Sequence, residues 1–413
     1  MNKIEQLLQK YCPDGVEFKD LGEVAQILNG YAFQSWKYCE KGIRIIRISD
    51  VQKGKMSDKN DMYYPIETMK EIEKYLLQED DLVMSLTGNV GRVAMLSNTD
   101  LPAGLNQRVA CIRAKEEKIL TRFLFHFFDQ DSFENEAMAN ATWWGQKNMS
   151  TTWLGKFQIP IPPIEIQKEI VKILDTFTEL EAELEAELEA RKKQYEYYRD
   201  DLLSFGDDEV EWKSLGEVWE FIRGNGLQKT DFTENWFPCI HYWQIYTYYA
   251  VYASKTKSFV SHELAKKLKR AETGDVIITN TSENLEDVWK AVVWCGEWEV
   301  ATGWHATIFK SKNVLGKYFA YYTKTKSFFS EKRKYAKWTK VIDVSATDMK
   351  KIKIPVPSLE KQQEIVAILD KFDALVNDIG NTGPCSLPAE LKARRQQYEY
   401  YRNKLLNFKS LEK

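Results

Sequence analysis

No Cys-x-x-Cys pair, no His-Glu-x-x-His helix and no Gly-x-x-x-x-Gly-Lys-Ser/Thr loop occurs in the 413 residues of this chain. The first absence, with Cys12, Cys39, Cys111, Cys239, Cys295 and Cys385 scattered singly, argues against a zinc site or a disulfide framework and for reduced thiols. The second leaves His126, His241, His262 and His305 without metal-ligand spacing, and His126, inside "FLFHFF", reads as a core histidine. The third argues against ATP hydrolysis by this chain. A methyltransferase loop is missing too: "TGNVGRV" (Gly88, Gly91) and "IPIPPIE" (Pro162, Pro163) lack the right neighbours, and paired glycines usually mark a β-turn. Nor does any apolar run approach the roughly 20 residues of a membrane span. The start "MNKIEQLLQKYCPDG" has no signal-peptide core, so the expected location is the cytoplasm.

What is present fits a folded protein of several domains. Apolar residues make up 44% and aromatics 13%, and the length exceeds what one ordinary core organises. The net charge of −3 is unevenly spread. Residues 206–353 carry 23 basic against 19 acidic side chains (+4), whereas 159–205 carry 6 against 12 (−6). A polyanion is favoured by the former; the latter reads as a solvated or protein-facing helix.

The chain repeats itself. "VEFKDLGEV" (Val16 to Val24) returns as "VEWKSLGEV" (Val210 to Val218), and "IPIPPIEIQKEIVKILDTF" (Ile159 to Phe177) returns as "IPVPSLEKQQEIVAILDKF" (Ile354 to Phe372) with 12 of 19 positions identical. "KKQYEYYRDDLLSF" (Lys192 to Phe205) returns as "RQQYEYYRNKLLNF" (Arg395 to Phe408). These phrases divide the chain into globular segments 1–158 and 206–353 and helical segments 159–205 and 354–413. In the globular parts, β-rich runs such as "GIRIIRISDV", "DLVMSLTG" and "GDVIITNTS" alternate with helix-like "TRFLFHFFDQ" and "HELAKKLKRA", predicting α/β or α+β domains.

The proximal helical segment has no Gly or Pro after its start and is predicted continuous; the distal one carries "NDIGNTGPCSLPAE" and is predicted to break near Gly380 to Pro388. An apolar stripe runs through Ile166, Ile170, Leu174, Phe177, Leu180, Leu184, Leu188, Tyr195, Tyr198, Leu202 and Phe205. Its Tyr-rich end is heptad-spaced and repeats at Tyr398, Tyr401, Leu405 and Phe408. Such a seam calls for burial, most simply of one helix on the other with the halves related by a pseudo-two-fold axis. "ELEA" occurs three times, at 179–182, 183–186 and 187–190. Four residues rise roughly 6 Å and turn about 400°, an increment comparable to a base-pair step of about 3.4 Å and 34–36°. The repeats read either as a spacer or as a solvated low-complexity helix.

These phrases together resemble the specificity subunits of type I restriction-modification systems, over essentially the whole chain. The resemblance implies two target recognition domains, each reading half of a bipartite gapped site in double-stranded DNA, held apart by two antiparallel helical regions. It implies docking of two modification subunits on those helices and assembly with restriction subunits. Adenine methylation with S-adenosylmethionine, and ATP- and Mg-dependent translocation and cleavage, then belong to the partners, and this chain holds no cofactor, metal or catalytic residue. Candidate DNA contacts are the polar side chains able to meet base edges. In the first domain these are Asn106, Gln107, Arg108, Gln146, Lys147 and Asn148. In the second they are His241, Gln244, Thr281, Ser282, Asn284, His305 and the basic stretch with Lys332, Arg333, Lys334, Lys337 and Lys340, the lysines being better suited to phosphates. Related sequences more often carry Gly where this chain has Trp36, Trp143, Trp144, Trp243, Trp289, Trp304 and Trp338; these tryptophans are either DNA-facing wedges or sources of loop strain. Two alternatives stay open: a metal-dependent nuclease built on Asp14, Glu17 and Lys19 with Asp207, Asp208, Glu211 and Lys213, whose tight spacing counts against it, and a coiled-coil scaffold without DNA binding.

Overall fold

The computed structural model describes residues 3–57, 59, 61–115, 117–144, 146–206, 208–336, 342–343, 345–377 and 386–411. The chain forms two compact units, Met1–Ala182 with Ala393–Lys413, and Glu183–Lys392.

In unit one, the strands Ala25–Asn29, Val109–Ala114, Leu82–Ser85 and Val93–Met95 form an antiparallel sheet in that order. A second sheet orders Tyr63–Tyr64, Ile43–Ile46 and Ala103–Leu105, with the last pair parallel. Ile43–Ile46 and Leu82–Ser85 are buried along their whole length, which is why they read as continuous apolar runs rather than alternating ones. Helix Thr121–Phe128 and the start of the central helix, at Ile166, Ile170 and Leu174, share the core of the first sheet.

Unit two repeats the plan. Trp219–Arg223, Ala306–Ser311, Val276–Thr279 and Ala291–Trp294 follow one another in its first sheet, extended by Tyr252–Ala253. Its second sheet orders Ser258–Val260, Phe237–Ile240, Val300–Thr302 and Lys269–Ala271.

The recurrent phrases are the closures of these units. Phe18–Asp20 pairs antiparallel with Gln158–Pro160, and Glu211–Ser214 with Lys353–Val356. Directly after each closing strand a buried glutamine ties the helix to its domain. Gln167 accepts from the Leu120 N–H at 2.8 Å and donates to the carbonyls of Lys118 and Pro162. Gln362 accepts from the Leu315 N–H at 2.8 Å and donates to the Pro357 carbonyl. About two turns further on, Asp175 meets Arg122 and His126, and Asp370 meets Lys317 and Tyr321.

The central helix is continuous over Ile164–Leu202, and the distal segment is two helices, Leu359–Val376 and Leu387–Leu406; residues 378–385, where the break is expected, lie outside the described ones. In unit one Phe177 stacks on Tyr401 and lies against Tyr398, while Glu181 pairs with Arg395, an antiparallel order of contacts. The Val16 carbonyl and N–H bond to Leu411 and Lys409, so the end of the chain completes this unit. In unit two the Tyr195 hydroxyl donates to Asp373, and Tyr198 stacks on Phe372.

The expected seam is only partly buried. Tyr195 and Tyr398 are, but Tyr198 and Tyr401 each leave an edge exposed, Leu184, Leu188, Leu202 and Leu405 are half-buried, and Leu180 is 42% exposed. A four-residue repeat on a 3.6-residue helix drifts about 40° per repeat, so its leucines cannot hold one face.

Candidate nucleic-acid interface

In unit one, two of the predicted stretches converge. Asn106, Gln107 and Arg108 form the turn between Ala103–Leu105 and Val109–Ala114, where Asn106 Oδ1 accepts from the Arg108 N–H at 3.2 Å and the side chains of Gln107 and Arg108 are exposed. The Leu86 N–H donates to the Arg108 carbonyl, and the Met149 N–H to the Leu86 carbonyl. The hairpin Thr142–Trp144 and Gln146–Asn148 is thereby set beside the turn, and the Thr87 hydroxyl donates to Asn148 Oδ1 at 3.0 Å. Lys147 gives its carbonyl to the Gly88 N–H. Gly88 and Gly91, at φ +76° and +86°, make this link a tight turn between two strands, as the paired glycines predict.

In unit two the corresponding turn is Gly303, Trp304 and His305. The Asn280 N–H donates to the His305 carbonyl just as the Leu86 N–H does to that of Arg108. One glycine in each unit makes the turn possible: a Cβ on Gly30 would lie 2.1 Å from the Asn106 carbonyl oxygen, and one on Gly224 2.1 Å from that of Gly303. The His305 ring lies 4.8 Å from that of Tyr242, which lies 4.5 Å from the ring of His241, and His305 Nδ1 is 3.1 Å from the Thr281 hydroxyl. Arg223, Gln228, Lys229 and Trp304 complete an open pocket around these rings. Lys229 and Lys257 both sit over Trp243, at 5.1 and 5.8 Å from its ring. Cations, an exposed indole and imidazole edges in one concavity suit a polyanion carrying flat, hydrogen-bonding bases.

Residues 13–190 and 207–387 match the model of the type I restriction modification DNA specificity domain. The chain belongs to this family. It is 36% identical to the EcoR124I/EcoR124II specificity subunit of Escherichia coli over 273 residues, 62% of this chain and 65% of that one, just under two thirds of its length. A Haemophilus influenzae protein described as a type I restriction enzyme specificity subunit is 28% identical over 95% of this chain and 96% of its own. The fold is that of the crystallised S subunit from M. genitalium, with TM-score 0.55 at 16% identity, covering 95% of this chain and 96% of that one. The matched model describes a DNA specificity domain, and these relatives are named specificity subunits.

Within this specificity subunit, several candidate contacts prove to be framework. Gln244 is buried, accepts from the His241 N–H and donates to Ser258, so its amide is spent inside the fold. Ser282 is buried, and Asn284 uses both ends of its amide on Asp287 to close a turn. Lys332 is buried and donates to the carbonyls of Glu286 and Val288; burial lowers its pKa to about 8. Lys334 is exposed and pairs with Glu331. Lys337, Lys340 and Trp338 lie outside the described residues, and Gln146 is placed by its backbone alone. Burial, with His305 and Lys229 nearby, holds His241 down at about 4, so its ring is neutral at pH 7. His126 is a satisfied core histidine between Tyr398 and Asp175.

The tryptophans divide in two. Trp289 is 2% exposed, at φ +65°, packed on Phe328, so the strained-backbone reading holds there. Trp36 and Trp304 are 77% and 57% exposed and are free to stack or wedge. Sequence reasoning missed Arg223, Gln228, Lys229 and Tyr242; their signal is position, since Gly224 stands as far behind "VEWKSLGEV" as Gly30 stands behind "VEFKDLGEV". Nothing in the geometry supports the nuclease alternative. Lys19 lies in the short strand Phe18–Asp20 and Glu17 just before it, the two pair with each other at 3.1 Å, and no cluster of three metal-ligating side chains occurs among the described residues.

Proposed function

We propose that each unit reads one half of a bipartite, gapped DNA target, the first through Gln107, Arg108, Lys147 and Asn148, the second through Arg223, Lys229, Trp304, His305 and Thr281. The observation that carries this reading is the pair of matching turns: the same glycine-backed backbone presents different side chains, as two readers of different half-sites require. Two modification subunits dock on the helices, where Tyr197 and Tyr400, at equivalent places in the two Tyr-rich phrases, both stand exposed. Restriction subunits join that complex, and S-adenosylmethionine, ATP and Mg are bound by the partners. The site of action is the cytoplasm; no described helix is long and apolar enough to cross a membrane.

The test is methylome sequencing of DNA modified by this chain with its modification subunit, at moderate salt because phosphate contacts are salt-sensitive. A gapped two-part motif is expected. An assembled complex that modifies nothing would leave only the scaffold reading. Deleting Glu183 to Ala186 removes one repeat, roughly 6 Å of helix, and is expected to shorten the gap while both half-sites stay unchanged.

A further inference from the structure

The two helix-accepting faces differ in charge at equivalent sites, and so do the helices they accept. In unit one Arg402, 2% exposed, is ion-paired with buried Asp129, which stands just beyond helix Thr121–Phe128. In unit two the residue at that place is Lys324, beyond helix Gly316–Tyr322, and the matching arginine, Arg199, turns instead onto its own neighbour Asp200 at 2.9 Å. The last helix has exposed Asn403 where the central helix has half-buried Asp200, and the exposed residues that follow, Lys404 and Asp201, differ in charge in the same sense. Buried Asp373, to which Tyr195 and Asn377 donate, lies in the field of Lys324 and offsets its charge; its counterpart in unit one is the neutral Thr178.

The surroundings balance separately. Arg122 is matched by Asp175 and Lys317 by Asp370. Lys53, near Asp129, is engaged by Asp131 and Glu134. What remains is a sum for each face and each helix. Face one carries −1 (Asp129) and receives +1 (Arg402, Asn403). Face two carries zero (Lys324, Asp373) and receives zero (Arg199, Asp200). Because the arginine is common to both helices, exchanging them would leave an excess of +1 beside Lys324 and Asp373 on face two and of −1 beside buried Asp129 on face one, and an unbalanced charge next to poorly solvated ions is the costly arrangement. Burial and the nearby Arg199 and Lys290 already lower Lys324 to about 8, with Asp373 opposing them.

We propose that these residues are a charge code that makes each domain accept its own Tyr-rich helix and reject the other, whether offered by the same chain or by a second copy. Shape alone does not discriminate, because the two phrases share Tyr195/Tyr398, Tyr198/Tyr401 and Arg199/Arg402. The code lies in Asp129 with Asn403 and in Lys324 and Asp373 with Asp200.

The test is a pair of double-mutant cycles in the full chain, read by thermal unfolding. Asp129→Asn, Asn403→Asp, Lys324→Met and Asp200→Asn each unbalance one face and are expected to lower the midpoint by about 3–6 °C. Asp129→Asn with Asn403→Asp, and Lys324→Met with Asp200→Asn, restore the sums and are expected to recover most of that loss. Asp129→Asn with Asp200→Asn, in different units, is expected to be additive. Restoration within units with additivity across them establishes the code; additive losses within both units overturn it. Should a single variant fail to fold, folding of its matched double supports the code, and failure of that double as well counts against it.

Discussion

The two matching turns share a backbone and almost nothing else. Unit one offers Asn106, Gln107 and Arg108 with no ring among them; unit two offers Gly303, Trp304 and His305 against Tyr242 and His241. Gly30 and Gly224 hold the frames alike, and Leu86 and Asn280 bond to them alike. The lesson is a division of labour: positions that fix the backbone are the same in both units, and positions that face outward are free to differ.

That comparison predicts its own tests. The largest effect belongs to the shared frame. Gly30→Ala and Gly224→Ala each drive a methyl into a backbone carbonyl, and both are expected to cost about 3 kcal/mol or more, measured as loss of folded protein or a lowered denaturation midpoint. Tolerance in one unit alone would break the equivalence. Next come the buried ties. Gln167→Ala and Gln362→Ala leave a buried N–H and one or more carbonyls unanswered, an expected loss of about 2 kcal/mol in each unit, measured by chemical denaturation.

The outward positions should behave in the opposite way. Arg108→Ala is expected to relax the first half-site only and His305→Ala the second only, each by about 1–3 kcal/mol of base discrimination, measured by competition binding with the assembled complex. A change in the other half-site would refute the one-unit, one-half assignment. The smallest effect is that of pH. His241 is held at about 4 in the fold against an ordinary value of 6.5, so the unfolded chain binds its proton more readily between those values. Stability is therefore full above pH 6.5 and falls as pH drops toward 4, by about 1 kcal/mol near pH 5 once partial solvent exposure is allowed for. His241→Asn should flatten that slope, and no equivalent slope is expected from unit one's turn, which has no histidine.

The sequence already carries much of this. Repeats give two units, the strand-then-helix phrases mark their closures, and the breaker-rich distal stretch lies between two separate helices. The apolar stripe is right where it meets a domain, at Ile166, Ile170 and Leu174, and fails at Leu180, where no domain surface lies against it. Site residues are harder because polarity does not distinguish a reader from a brace. Gln244 and Lys332 look in sequence like base and phosphate contacts, yet each answers buried backbone or hydroxyl groups that only the fold reveals. Arg223 and Lys229 are missed because their value depends on His305, some 80 residues away in sequence and brought near only by sheet pairing.

The bonds of Val16 to Lys409 and Leu411, and the pair Arg402 with Asp129, separated by 273 positions, carry a consequence for biosynthesis. Unit one is begun first but closed later, because the strip that completes it follows all of unit two in the sequence. Unit two draws on nothing beyond Lys392, so its own residues all precede the strip that closes unit one. During synthesis the earlier domain therefore stays open until the later one has all of its residues, and truncation before Ala393 is expected to leave unit one unclosed while unit two keeps every residue of its own.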